Sequence, residues 1–144
     1  MPGKIPVEHP QRTQYVVMYG YDDAQILDIA GPLEVFSRCS RWLVDHQFTS
    51  VPPYKIELVA DRAGPVRCSS GLLLHAQRAF AEVDHADIVL VSGGIGYRQA
   101  LENPALLAWL RQQAKQVTRL GSICSGALIL AGAGLLEGSP EARL

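Results

Sequence analysis

Two short, mostly apolar runs that each end abruptly in small residues limit what this chain can fold into. Ala86-Asp87-Ile88-Val89-Leu90-Val91 runs straight into Ser92-Gly93-Gly94-Ile95-Gly96, and Tyr15-Val16-Val17-Met18-Tyr19 stops at Gly20. Short β-branched runs without polar alternation read as strands buried on both faces, the mark of a parallel sheet. Tyr54-Lys55-Ile56-Glu57-Leu58-Val59-Ala60 adds a strand that alternates and then turns apolar, and residues 119–123 add another. Helical spacing fills the gaps. Leu33, Phe36, Leu43 and Val44 predict a helix over residues 32–46 with Pro32 in its first turn, and Asn103-Pro104 opens a second with Leu106, Leu107, Trp109 and Leu110 as its buried stripe. Residues 125–136 read as a third, very apolar helix. Gly64-Pro65 and Ser69-Ser70-Gly71 are turn signals that predict a small hairpin between strands. The expected fold is therefore α/β, a three-layer αβα sandwich with a mostly parallel, flavodoxin-like sheet, whose ligands bind beyond the carboxyl ends of the strands.

With 144 residues and 48% hydrophobic content, one domain with a sizeable core is expected over residues 14–144, after a polar leader at 1–13. The formal net charge is -1 and no Lys/Arg run is present, which argues against direct nucleic-acid binding. The leader has no apolar secretory core, and the 127–136 stretch falls short of the roughly 20 residues a bilayer requires, so a cytoplasmic protein without a membrane partner is expected. Cys39, Cys68 and Cys124 form no CxxC or Cys/His pairing; no disulfide, metal or cofactor is signalled.

Cys124 stands where a strand turns into a helix, followed by Ser125, Gly126 and Ala127. A tight turn of that kind lifts a side chain to the top of the sheet, and nearby helix amides favour the thiolate; the alternative is a free cysteine filling a small core space. Gly93 and Gly94 lack the third glycine of a dinucleotide fingerprint, since Gln99 stands in its place. They read either as part of an oxyanion pocket, with the Gly94 and Ser125 amides as donors, or as a turn that needs positive φ. Asp28, set among Ile26, Leu27 and Ile29, is either the partner of a thiol or ligand amine or a helix-capping loop acid. Glu34 reads as a surface charge, His75 and His85 as isolated histidines, Cys39 and Cys68 as structural thiols, and Trp42 and Trp109 as core.

Three ordered motifs, Leu27-Asp28-Ile29-Ala30-Gly31-Pro32-Leu33-Glu34-Val35-Phe36, Val91-Ser92-Gly93-Gly94-Ile95-Gly96 and Ser122-Ile123-Cys124-Ser125-Gly126-Ala127, together with Ala133-Gly134-Leu135-Leu136, resemble the PfpI branch of the class I glutamine amidotransferase-like superfamily. The nearest resemblance is to the N-terminal domain of AraC-type transcriptional regulators of the GlxA kind, and a weaker one is to isonitrile hydratase. The resemblance implies that Cys124 is the elbow cysteine, Asp28 the carboxylate facing it and Gly94 part of the pocket. It also implies two departures: family members continue with a strand bearing a Thr-His-Trp-like motif and, in regulators, a helix-turn-helix pair, whereas this sequence reads as truncated after Gly138. Ser125 stands where protease-like members carry histidine, which counts against peptidase activity. Three functions follow as expectations: a small-molecule sensing domain, a cysteine-dependent hydratase or amidase, or an inactive remnant. An apolar last helix with nothing apolar after it predicts self-association as a homodimer or larger species.

Overall fold

The structure is a computed structural model that describes residues 12–137; most of the polar leader and residues 138–144 lie outside the described residues. Its centre is β1 (Gln14–Tyr19), paired in parallel with β2 (Tyr54–Ala60) on one side and β6 (Ile88–Val91) on the other. β5 (Arg78–Ala79) joins the outer edge of β2 and β7 (Arg119–Ser122) that of β6, giving a five-stranded parallel sheet in the order β5-β2-β1-β6-β7. The predicted excursion is present as the antiparallel pair β3 (Gly64–Arg67) and β4 (Leu73–Ala76).

Period-two alternation divides the sheet between two helical layers. On the even face of β2 the Tyr54 ring packs edge-on against Phe36 of α1 (Ile26–Asp45), with centroids 4.8 Å apart. On the odd face of β1 the Tyr19 ring meets Phe80, which in turn packs on Trp109 of α3 (Pro104–Ala114). The short helices α2 (Tyr97–Leu101) and α4 (Gly126–Gly132) pack with α3. Val16, Val17, Val59, Val89 and Val91 are fully buried between the layers; each contributes about 1.5–3 kcal/mol relative to exposure. Such a sheet is the flavodoxin-like arrangement expected above.

Three boundaries differ from the sequence expectation, each for a local reason. α1 starts at Ile26 rather than at Pro32, because Ile29 and Leu33 extend the buried stripe one turn upstream, and Pro32 is carried inside the helix. A proline there donates no N–H to the preceding turn, a loss this long helix tolerates through its packing. α2 is additional, and α4 ends at Gly132, where the Leu135 amide reaches back to the Leu130 carbonyl at 3.0 Å. Trp42 is not core: it is 49% exposed and stacks on His46 and Phe48 at the outer surface of α1. Trp109 is partly buried and donates to the Val83 carbonyl.

Two buried carboxylates are satisfied. Glu57 meets both the Tyr15 hydroxyl and the Arg78 guanidinium, and Asp87 accepts from Arg12 and from the Tyr15 amide. Among the described residues no helix is long and apolar enough to cross a membrane, and no cluster of three metal-binding side chains occurs.

Candidate functional site

β1, β6 and β7 deliver their carboxyl ends to one side of the sheet, and the loops leaving them carry the reactive groups. From β7 the chain passes through Ile123 into Cys124, whose φ of 52° is in the left-handed region, and α4 starts two residues later. That conformation costs an L-residue about 1–2 kcal/mol and persists only where neighbours impose it. Here Ile123 donates to the Val91 carbonyl at 2.9 Å, Gly126 to that of Ile123 at 2.9 Å and Ala127 to that of Cys124 at 3.2 Å. This is the strand-to-helix elbow, and it leaves the Cys124 side chain exposed.

Asp28, in the first turn of α1, reaches the same place. A Cβ added to Gly93 would lie 2.6 Å from Asp28 Oδ2, 2.7 Å from the Ile123 carbonyl oxygen and 2.9 Å from Cys124 Cβ. Gly93 is therefore glycine because the carboxylate and the elbow close around it. Asp28 Oδ2 is buried and has no hydrogen-bond partner among the described residues. An unsatisfied buried carboxylate oxygen costs about 1–3 kcal/mol or more, and in a cleft beside an exposed thiol it marks an acceptor awaiting a donor. Tyr21 stands close by: burial first, then the charges of Asp28 and Cys124, push its phenol up, so it stays neutral and donates to the Ser92 carbonyl at 2.7 Å.

Gln25, Asp28, Gly94, Ile95, Tyr97, Cys124 and Ser125 line an open cleft of about 420 Å³. An antiparallel bridge between Ala24 and Gly94, with the Gln25 amide on the Gly93 carbonyl at 2.9 Å, holds its two walls together. Gly94 has φ 145°, and a Cβ there would lie 2.5 Å from Ala24 Cα, so this position too demands glycine. The Gly94 amide, expected as an oxyanion donor, is committed instead to Ser125 Oγ at 3.0 Å. The amides of Ile95 and Ser125 donate to no acceptor among the described residues, and both residues line the cleft.

The structure thus brings together the five residues singled out in the sequence, Cys124, Asp28, Gly93, Gly94 and Ser125. It leaves out the others: Cys39 lies on the outer surface of α1, Cys68 is buried, His75 is on β4, and His85 sits beside Asp87 at 3.6 Å, before the start of β6. Among the described residues no histidine lines the cleft. Sequence reasoning missed Tyr21, Gln25, Ile95 and Tyr97, whose roles depend on the bridge between the two loops and leave no local signature.

Chemically, the cleft offers a thiol, a carboxylate oxygen without a partner and two free backbone donors. The chain matches the DJ-1/PfpI family over residues 14–140. It is 34% identical over 123 residues to an uncharacterized protein in the cpoL 5' region of Streptomyces lividans, covering 85% of this chain and 82% of that protein. It is 32% identical over 118 residues to isonitrile hydratase of Pseudomonas putida, covering 82% of this chain and 46% of the hydratase. To the HTH-type transcriptional regulator CdhR of Pseudomonas aeruginosa it is 33% identical over 85 residues, 59% of this chain and 25% of the regulator. The chain therefore spans about half of the hydratase and about a quarter of the regulator. Among solved structures, a ThiJ/PfpI family protein from Pseudomonas syringae superposes with a TM-score of 0.76 at 26% identity, covering 96% of this chain and 54% of that one. On its sequence and its fold alike, the chain belongs to the DJ-1/PfpI family.

Proposed function

We propose that this domain is a small-molecule-sensing module of the kind that regulators carry, cytoplasmic and self-associating, with its ligand held between Asp28, Cys124 and the amides of Ile95 and Ser125. The observation that carries the reading is the buried Asp28 Oδ2 facing the elbow, unpartnered among the described residues, in a cleft that none of their histidines lines. A site of that composition can recognise a small polar molecule through one acceptor and two donors. The described residues place no imidazole there of the kind most thiol enzymes use as a base. Similarity to HTH-type regulators supports the same assignment.

Thermal-shift screening against small amides, nitriles and amines tests it. A ligand that stabilises the wild type, is recovered chemically unchanged, and loses its effect in Asp28→Asn supports sensing; at a concentration of 100 Kd it adds about 2.7 kcal/mol. Consumption of the stabilising compound would refute it.

One observation favours a second reading, the 32% identity to isonitrile hydratase. In that reading Cys124 Sγ attacks the substrate carbon, Asp28 carries the proton, and the Ile95 and Ser125 amides stabilise the developing negative charge. Conversion of an alkyl isonitrile and water to the N-alkylformamide, lost in Cys124→Ala, is its test; absence of product with folded wild-type protein rules it out.

A further inference from the structure

Ile95 is 76% exposed, the most of any large apolar side chain among the described residues, and it lines the cysteine cleft. A single exposed apolar residue ordinarily needs no explanation. This one is set in place by a turn that cannot relax. On one side Gly94 is bridged to Ala24, and a Cβ there would lie 2.5 Å from Ala24 Cα. On the other, Gly96 donates to the Asp23 carbonyl at 3.2 Å, and a Cβ there would lie 2.1 Å from the Asp22 carbonyl oxygen. The Tyr97 amide closes the turn on the Gly94 carbonyl at 3.1 Å.

The backbone on both sides of Ile95 is thus pressed against the loop at 22–24, and the side chain stands out at the cleft mouth. Its β-branch leaves it stiff at χ1, so the apolar surface is preformed. Tyr97 supplies a second fixed surface. Its hydroxyl accepts from Arg98 Nε at 3.1 Å, and the guanidinium lies 5.6 Å from the ring centroid. Every residue lining the cleft is at least partly exposed, so a ligand reaches these surfaces without moving the core.

The polar end of the cleft sets the head of that ligand. The Ile95 and Ser125 amides call for an acceptor, and the Asp28 carboxylate calls for a donor. A carboxylate answers the amides but meets a like charge at Asp28; an ammonium answers Asp28 and leaves both amides unpaired. An uncharged head that accepts and donates together, as a primary carboxamide does, answers all three. We infer that Ile95 is the specificity-determining residue of this cleft, selecting ligands whose uncharged polar head carries an aliphatic chain of about three to five carbons. The chain lies over Ile95 and Tyr97. This rests on the cleft being the ligand site proposed above.

The test is an amide NMR titration of the full chain with the straight-chain carboxamides from propanamide to hexanamide. Shifts centred on Asp28, Ile95, Cys124 and Ser125 are expected, with affinity rising about two- to fourfold for each methylene taken out of water. Ile95→Ser keeps the backbone amide and removes the apolar surface. Hexanamide should then lose about fivefold or more, while propanamide changes by less than about twofold. Leu73→Ser removes a side chain that is 63% exposed on β4, outside the cleft, and should alter neither. Asp28→Asn should weaken every member alike. A chain-length gain that is absent from the wild type, or that survives Ile95→Ser, overturns the inference. If binding in that case still depends on Asp28, the sensing reading stands, so the two failures are told apart. Failure of every carboxamide to bind also overturns the inference and leaves the sensing reading to its nitrile and amine screens.

Discussion

Replacing Gly93 with alanine tests whether Asp28 and the elbow really close on one point. The added methyl meets three atoms at 2.6, 2.7 and 2.9 Å, all nearer than a Cβ normally tolerates. Ile123 O is backbone, fixed between β7 and the elbow, and Cys124 Cβ is held by the turn that donates to both sides of it. Only the Asp28 side chain can swing away, since no hydrogen bond holds its Oδ2. Part of the clash is therefore relieved by expelling the carboxylate, and the rest remains as overpacking. Overpacked sites lose about 1–3 kcal/mol, so Gly93→Ala should fall near 2 kcal/mol, about 4–8 °C in Tm for a domain of this size. Gly31→Ala is the control. It stands in α1 with no atom beyond its chain neighbours and the helix's own backbone within 4 Å of the new methyl, and because helix propensity is opposed by crowding against the Pro32 ring it should change stability by less than about 1 kcal/mol. Urea unfolding followed by circular dichroism measures both, and iodoacetamide labelling of Cys124 in the same preparations reports the displaced carboxylate. A Gly93→Ala protein within about 0.5 kcal/mol of wild type, with unaltered Cys124 labelling, would refute the geometry.

Arg78→Ala should cost about 3 kcal/mol in urea unfolding, because it strands the buried Glu57, and Glu57→Gln in the same background should recover part of the loss. The Arg12 guanidinium first, opposed by burial and aided by the Tyr15 amide, holds Asp87 down at about 2. A depressed folded-state value means stability that is present above the ordinary carboxylate range and lost as pH falls toward 2, so wild type should lose about 1–2 kcal/mol over that window and Asp87→Asn should not. Leu27, Val35 and Trp42 are 71%, 68% and 49% exposed along α1, and Leu128 on α4 is 47% exposed. Light scattering after sizing should therefore show a dimer or larger species that Val35→Glu with Trp42→Glu converts to monomer.

The parallel sheet was legible because Val16, Val17, Val89 and Val91 sit in runs that only a doubly covered strand explains. Gly93, Gly94 and Cys124 were legible for a similar reason: each is small or sits at a junction of periodicities where small residues are otherwise wasteful. Pro32 misled, since its preference for a first turn hid the buried stripe at Ile29. Gly96-Tyr97-Arg98-Gln99-Ala100-Leu101 is too short to show a helical period, so α2 left no signal. Trp42 carried apolar bulk with no sign of which face of α1 it occupied. The cleft walls at Gln25, Ile95 and Tyr97, and the role of Tyr21, exist only because the Ala24–Gly94 bridge joins loops distant in sequence. The hydrogen bond from the Gly94 amide to Ser125 Oγ was equally invisible, and it replaces the expected Gly94 donor with Ile95 while the Ser125 amide stays free among the described residues.

The central claim is that Asp28 and Cys124 form one site, and site-resolved alkylation tests it most directly. Exposure alone does not rank the thiols, since Cys39 and Cys124 are both exposed, while burial first and Asp22 second push the Cys68 thiol up. Limiting iodoacetamide at neutral pH, read by peptide mass spectrometry, should modify Cys124 before Cys39 and leave Cys68 last. Asp28→Asn should then change the Cys124 rate severalfold, and its pH dependence with it, while leaving the Cys39 rate untouched. Faster labelling of Cys39, or a Cys124 rate indifferent to Asp28→Asn, would contradict the account.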